Sequence, residues 1–188
     1  MLHRRSETTL IILGLVLVSG TCFAQAPQMP SPTKKHELLE QFAGEWTAVA
    51  ETEAAPGTEP IKSEGTESAK VVGGFWLVGQ GEADMNGMQF NSILTIGYDP
   101  KTDKYVGTFV CSMDSTMWKY EGSIDESGKK LTLLTEGPSM MDPSQTAKYR
   151  ETLELVDEDH KLFTSSVQMP DGEWMKFMTV KYERKKPE

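Results

Sequence analysis

The sequence predicts an all-β fold, an antiparallel up-and-down β-barrel of about ten strands, and three observations support this prediction. Strand-forming segments follow one another from Trp46 to Arg184 with short, turn-rich connections. No helical segment separates them, whereas parallel neighbours would need crossovers of about a dozen residues or more. Several segments alternate between apolar and polar side chains, as at Trp118, Lys119 and Tyr120. Such a sheet buries its apolar face as a barrel or a sandwich, and sequential hairpins favour the barrel.

The N-terminus has the features of a secretory signal peptide covering residues 1–24. Arg4 and Arg5 give it a positive start, and the apolar run Leu10–Val18 follows. Ala24 has the small side chain that a signal peptidase requires next to the cleavage site. The sequence therefore predicts an exported protein, located in the periplasm or outside the cell.

Two other interpretations of this segment compete with cleavage. A membrane anchor needs about 20 apolar residues, and the run Leu10–Val18 is too short for that, so no integral membrane span is expected after signal removal. Lipid attachment at Cys22 would tether the protein, but Thr21 is bulkier than the residue usual before a lipoprotein cysteine.

After the signal peptide we expect a flexible leader at residues 25–33 and a single barrel domain at residues 34–188. Prolines in the leader disfavour regular structure. Thr33 is expected to cap a short helix, because Ser and Thr side chains accept hydrogen bonds from the first helical N–H groups. Gly44 is expected to end the helix, whose apolar stripe comprises Leu38, Leu39 and Phe42.

Turn residues divide the rest of the chain into strands. Asn86-Gly87 is the strongest hairpin signal, since both residues tolerate positive φ, and Asp99-Pro100 marks another turn. The predicted strands are Trp46–Glu51, Thr66–Val72, Phe75–Ala83, Met88–Tyr98, Lys104–Met113, Thr116–Ile124, Lys130–Thr135, Ala147–Val156, Lys161–Met169 and Trp174–Glu183.

Composition disfavours several classes of function. A formal net charge of −9 opposes binding to nucleic acid and to anionic lipid. Cys111 is the lone cysteine after signal removal, so no internal disulfide is expected, and a small buried apolar role is favoured. His36 and His160 lack the spacing of zinc ligands. We expect a monomer without metal or cofactor, and haem held by His160 is the alternative.

Three motifs, in a fixed order, resemble a known family. They are Gly44-x-Trp46, then Gly73-Gly74-Phe75-Trp76-Leu77, then Gly97-Tyr98-Asp99 with Lys104-Tyr105-Val106. The first resembles the lipocalin-like, or calycin, barrels. The whole set looks like a family of secreted bacterial proteins catalogued as domain of unknown function 1579 (DUF1579), over roughly Lys35 to Tyr182.

That resemblance implies a lipocalin-like barrel and export, and it implies no established activity. In lipocalin-like barrels a tryptophan plugs the closed end and a basic side chain lies across it. By this resemblance Trp46 is the plug, and Arg184 is the basic residue whose position near the last strand fits.

Methionine and aromatic residues give the best indication of function. Most of the methionines fall between Met85 and Met178, and methionine moulds to irregular apolar shapes, in a core or in a pocket. Core filling and ligand binding both account for them. By strand alternation the apolar interior is expected to comprise Leu94, Phe109, Met113, Trp118, Tyr120, Phe163 and Met178.

Glu151 is the one candidate polar group for the interior. It shares its strand face with Tyr149, Leu153 and Leu155, so it is expected to point inward, where burial raises the pKa of a carboxyl. In a cavity it could bind a cationic or hydroxylated ligand, or act as a base.

The predicted function is binding of a small apolar or amphipathic molecule in the barrel. An isomerase or hydrolase that uses an inward carboxylate and a tyrosine is one alternative. An interaction protein with a filled barrel is another. The sequence favours a binding protein over an enzyme, because it lacks a nucleophile elbow and a phosphate-binding loop.

Overall fold

The computed structural model describes residues 29–53, 59–85 and 87–186. The predicted signal peptide, most of the leader, part of the first loop and Asn86 lie outside the described residues. Met29–Thr33 have neither helix nor strand. No helix within the described ranges has the length and hydropathy needed to cross a membrane.

A short helical segment precedes the barrel. Helix α1 covers Lys34–Glu37 and continues as a 3₁₀-helix over Leu38–Phe42. Thr33 is its N-cap, as predicted, and its capping box is completed by His36 rather than by an acidic residue. Leu39 and Phe42 are fully buried, so this segment closes one end of the barrel with apolar side chains.

Ten antiparallel strands form a closed barrel in up-and-down order, which confirms the predicted fold class. Each strand pairs with its sequence neighbours, and the first pairs with the last. The strands are β1 Gly44–Thr52, β2 Ile61–Val72, β3 Trp76–Met85, β4 Met88–Asp99, β5 Lys104–Cys111, β6 Asp114–Ile124, β7 Lys130–Pro138, β8 Thr146–Leu155, β9 His160–Gln168 and β10 Trp174–Arg184.

The largest difference from the predicted strands is at β2, which begins at Ile61 instead of Thr66. Its first residues pair with β1 down to Ile61 opposite Thr52. The inner positions Ser63 and Gly65 of this part of β2 are small and only half-buried, so apolar alternation does not reveal it, whereas the backbone ladder extends through it.

Alternation along the strands places one set of side chains inside the barrel and the other in solvent. The buried core lies toward the helical end, where Leu39 and Phe42 pack with Ile96, Tyr105 and Leu131. Several inner positions nearer the opposite end, among them Phe109, Trp118 and Phe177, are only partly buried. The hairpin loops between β3 and β4, β5 and β6, β7 and β8, and β9 and β10 lie at this end, at the mouth of the barrel.

Candidate functional site

The barrel holds a cavity of about 760 Å³ that is bounded by residues of all ten strands and reaches the loop end. Met113 and Met140, on two of those loops, are exposed at the rim. All eight residues predicted to line the interior lie on its wall, namely Leu94, Phe109, Met113, Trp118, Tyr120, Glu151, Phe163 and Met178.

The geometry of the sheet explains why these residues face inward. Opposite pairs across the ladders lie on the same face, so Leu94 on β4 stands beside Phe109 on β5, which in turn stands beside Trp118 on β6. On β10 a β-bulge between Lys176 and Met178 shifts the alternation. Phe177 and Met178 therefore both reach the cavity wall.

An aromatic cluster forms one side of the cavity near its mouth. The ring centroids of Trp118 and Tyr149 lie 5.1 Å apart, edge to face, and those of Tyr149 and Phe177 lie 6.3 Å apart. The Tyr149 hydroxyl donates to the Pro138 carbonyl oxygen at 2.6 Å. A Cβ added at Gly137 would lie 2.3 Å from the Trp118 ring, so glycine is required for this packing.

Cys111 differs from its predicted place. It is the last residue of β5, which was predicted to continue to Met113, and it is half-buried on the cavity wall instead of buried. The difference arises because the β5–β6 hairpin turns at Ser112 and Met113, earlier than the apolar pattern indicates.

Glu151 is a buried carboxyl on this wall. Its side chain points inward from β8, and the residue is 7% exposed. The Ser165 hydroxyl on β9 donates a hydrogen bond to Oε1 at 2.8 Å, whereas Oε2 is buried without a hydrogen-bond partner. Burial raises the pKa of Glu151 to about 7, and the Ser165 hydrogen bond acts in the opposite direction.

Tyr120 lies on the same wall and is also buried. Burial raises the pKa of its phenol well above the ordinary value, and the charge of Glu151 adds to this effect. Tyr120 is therefore a neutral hydroxyl at physiological pH, able to donate or accept a hydrogen bond.

A second polar site lies at the helical end of the cavity. The Lys161 ammonium forms an ion pair with Glu67, and the Lys161 side chain is 2% exposed. Its Nζ lies 4.3 Å from the Trp46 ring centroid and 4.6 Å from that of Tyr182. Burial lowers the pKa of Lys161, while the neighbouring Glu67 carboxylate opposes that shift.

Sequence reasoning missed this ion pair. Lys161 and Phe163 share a strand face, as do Glu67 and Ala69, so strand alternation alone places both charges inside. The residues are distant in sequence, and pairing them requires the closed order of the strands.

Trp46 and Arg184 meet at the closed end of the barrel. Trp46 is fully buried, and the Arg184 guanidinium carbon lies 4.1 Å from its ring centroid. Arg184 also donates to the Ala43 carbonyl oxygen at 2.8 Å and to the Glu158 carbonyl oxygen at 2.9 Å. Gly44, with φ +137°, leaves room for this guanidinium.

The profile of the protein family described as "Protein of unknown function (DUF1579)" matches residues 31–184. The chain belongs to the DUF1579 family. This confirms the resemblance carried by the three motifs. No curated protein matches the sequence significantly.

Solved structures similar to this DUF1579 protein are β-barrels. The crystal structure of Rv2717c from M. tuberculosis aligns with a TM-score of 0.57 at 9% identity, covering 83% of this chain and 100% of that one. A redesigned β-barrel aligns with a TM-score of 0.43 at 13% identity, covering 84% and 100% of the two chains. At these identities the first alignment shows a shared fold.

Both histidines of the DUF1579 domain lie away from the cavity wall. His160 is exposed at the start of β9, with Nδ1 2.8 Å from the Asp157 carboxylate. His36, on helix α1, is buried, and its ring lies edge to face with those of Phe75 and Tyr98, at 5.1 and 5.4 Å between centroids. Within the described part of the chain, no three His, Cys, Asp or Glu residues group as metal ligands.

Proposed function

We propose that this protein binds a small, largely apolar molecule inside its barrel. The observation that carries the proposal is the cavity of about 760 Å³. Its size falls in the range of about 300–1,000 Å³ that is usual for small-molecule sites. Burial of ligand surface against the apolar wall supplies the driving force.

The composition of the wall supports this function. Aromatic and methionine side chains provide contact area that adapts to the shape of a guest. Among the polar groups on the wall, Glu151 and Tyr120 are buried beside this apolar surface and are the groups that would orient a ligand. Many apolar contacts with a few fixed polar ones are typical of binding sites.

The other two predicted functions have less support. A filled barrel would leave no room for a ligand, in contrast to the cavity found here. An acid–base enzyme needs a carboxyl coupled to a second proton-transfer group. The hydrogen-bond partner of Glu151 among the described residues is the Ser165 hydroxyl rather than a tyrosine or histidine.

Binding inside the barrel can be tested with a neutral, environment-sensitive dye such as Nile red. We expect saturable binding to the purified protein with a blue-shifted emission, because the dye leaves water for an apolar wall. The substitution Ala50→Phe places a large side chain on the cavity wall and is expected to weaken binding at least about tenfold, or about 1.4 kcal/mol.

The matched control is Val49→Phe, on the neighbouring position of β1. Val49 is exposed on the outer face, so this substitution adds the same side chain without filling the cavity. Equal dye binding by the two variants, or no saturable binding by the wild type, would contradict the proposal. If the dye binds as expected, native mass spectrometry of protein purified from its own host would identify the compound bound in the cavity.

A further inference from the structure

Glu151 lies on the cavity wall and has one carboxylate oxygen without a hydrogen-bond partner. Oε1 is occupied by the Ser165 hydroxyl, but Oε2 is buried and has no partner. Leaving a buried polar atom unpaired costs free energy. A ligand that donates to Oε2 would remove this cost and would gain affinity from it.

Among the described residues, no protein cation balances the charge of Glu151. Lys161 is the one basic side chain on the described cavity wall, and its ammonium is paired with Glu67. An ionised Glu151 in this apolar setting therefore lacks a counter-ion, and a bound cation would provide it.

The surroundings suit an organic cation better than a neutral donor. Trp118, Tyr149 and Phe177 form the aromatic cluster on the same wall, and aromatic faces attract ammonium groups. The net charge of −9 over the whole chain also favours the approach of cations and disfavours that of anions.

We propose that the cavity selects amphipathic organic cations, in which an ammonium group is attached to an apolar body, and that Glu151 accepts the ammonium N–H at Oε2. The inference rests on the proposed function, since it assigns a chemical class to the ligand of the same cavity. The apolar body contacts the Met and aromatic wall, and the ammonium reaches the carboxylate.

The inference implies that binding depends on pH through Glu151. The neighbouring strands contribute Ser165 from β9 and Leu133 from β7 opposite Glu151, and neither titrates. The other titratable groups on the cavity wall are Glu67, Glu82, Cys111, Asp114, Tyr120, Tyr149, Lys161 and Tyr182. Of these, Tyr120 and Tyr149 have pKa values raised in part by the charge of Glu151, so both stay neutral.

The test uses three probes with one alkyl chain and different heads: decylamine, decan-1-ol and decanoate, each measured by displacement of Nile red. At about pH 8 we expect the amine to bind at least about tenfold more tightly than the alcohol, because its hydrogen bond is charge-assisted. Decanoate is expected to bind most weakly. At about pH 5.5 the preference for the amine is expected to fall to about threefold or less, since Glu151 is then protonated.

Variants assign this preference to Glu151. Glu151→Gln is expected to abolish the preference for the amine while the alcohol still binds. The matched control Glu154→Gln removes a carboxylate from the outer face of β8, where Glu154 pairs with Lys130, and is expected to keep the preference. Ser165→Ala removes the hydrogen bond that favours the ionised form, so the preference is expected to appear only at higher pH.

Each outcome decides between the two proposals. If the alcohol binds as tightly as the amine, or if Glu151→Gln keeps the preference, the choice of an organic cation is wrong and binding in the barrel stands. If Glu151→Gln fails to fold, the Ser165→Ala variant decides. A preference for the amine with the same pH dependence as in the wild type would overturn the inference. If none of the three probes displaces the dye and the dye itself does not bind, both proposals fail.

Discussion

Glu67 and Glu151 both extend from the inner wall of the barrel, but their surroundings differ. At the helical end, Glu67 forms an ion pair with Lys161, whose ammonium also lies over the rings of Trp46 and Tyr182. Farther from that end, Glu151 receives one hydrogen bond from Ser165, and its second oxygen has no partner.

The difference separates a structural carboxylate from one available to a ligand. At the closed end the charges of Glu67 and Lys161 are balanced within the protein. At Glu151 the balance is incomplete, and the residue lies on the cavity wall. Burial without a partner for Oε2 destabilises the ionised form of Glu151. We interpret this loss of free energy as the consequence of leaving Oε2 free to accept a hydrogen bond from a ligand.

The largest expected effect concerns the paired carboxylate. Lys161→Met removes the cation and leaves Glu67 charged inside the barrel, which is expected to lower the free energy of unfolding by about 3–5 kcal/mol. The double variant Glu67→Gln/Lys161→Met is expected to recover most of this loss. Urea unfolding, monitored by far-ultraviolet circular dichroism, measures the free energy of unfolding of the single and the double variant. Equal stabilities of the single variant and the wild type would mean that the ion pair is not buried.

A smaller, pH-dependent effect is expected at the unpaired carboxyl. The pKa of Glu151 is raised from 4.5 to about 7 in the folded protein, so the folded state binds the proton more tightly than the unfolded chain. Stability from this group is therefore complete below about pH 4.5 and declines as pH rises through about 7. Glu151→Gln does not titrate and does not show this decline.

At about pH 8 the Glu151→Gln variant is accordingly expected to exceed the wild type in free energy of unfolding by up to about 3 kcal/mol. At about pH 4 the two proteins are expected to have similar stability. Urea unfolding at a series of pH values provides the measurement. If the free energies of unfolding of Glu151→Gln and the wild type differ by the same amount at every pH, Glu151 is solvated or already paired.

The smallest effect is expected for an ion pair on the outer face of the barrel. Lys104 and Glu121 are joined by a hydrogen bond of 2.5 Å, with about half or more of each side chain exposed. Lys104→Ala is expected to change stability by less than about 1 kcal/mol, and less at high salt. A loss comparable to that of Lys161→Met would mean that burial does not explain the difference between inner and outer pairs.

The barrel and its lining followed from simple periodicity. Hairpin-length connections led to the antiparallel order, and alternation placed residues such as Phe109 and Tyr120 on the inner face. The strand face that Glu151 shares with Tyr149 and Leu153 likewise predicts its inward direction. These assignments need only the direction of each side chain relative to its own strand.

The features that sequence did not predict depend on relations between distant strands or on irregular backbone. The pairing of Lys161 with Glu67 requires the order in which the barrel closes. The inward position of Phe177 depends on the bulge in β10, for which periodicity gives no signal. The unpaired state of Glu151 Oε2 depends on where Ser165 and the neighbouring side chains end, which alternation alone does not determine.

The pairing of β1 with β10 has a consequence for how the chain reaches its native state. Trp46 lies opposite Arg184, so the seam joins the two extremes of the sheet and is the contact with the greatest sequence separation, the kind that forms slowly. Until the final strand is in place, the preceding nine expose two unsatisfied edges, which are templates for intermolecular association. Loss of the C-terminal strand would therefore leave two free strand edges and make the protein prone to aggregation.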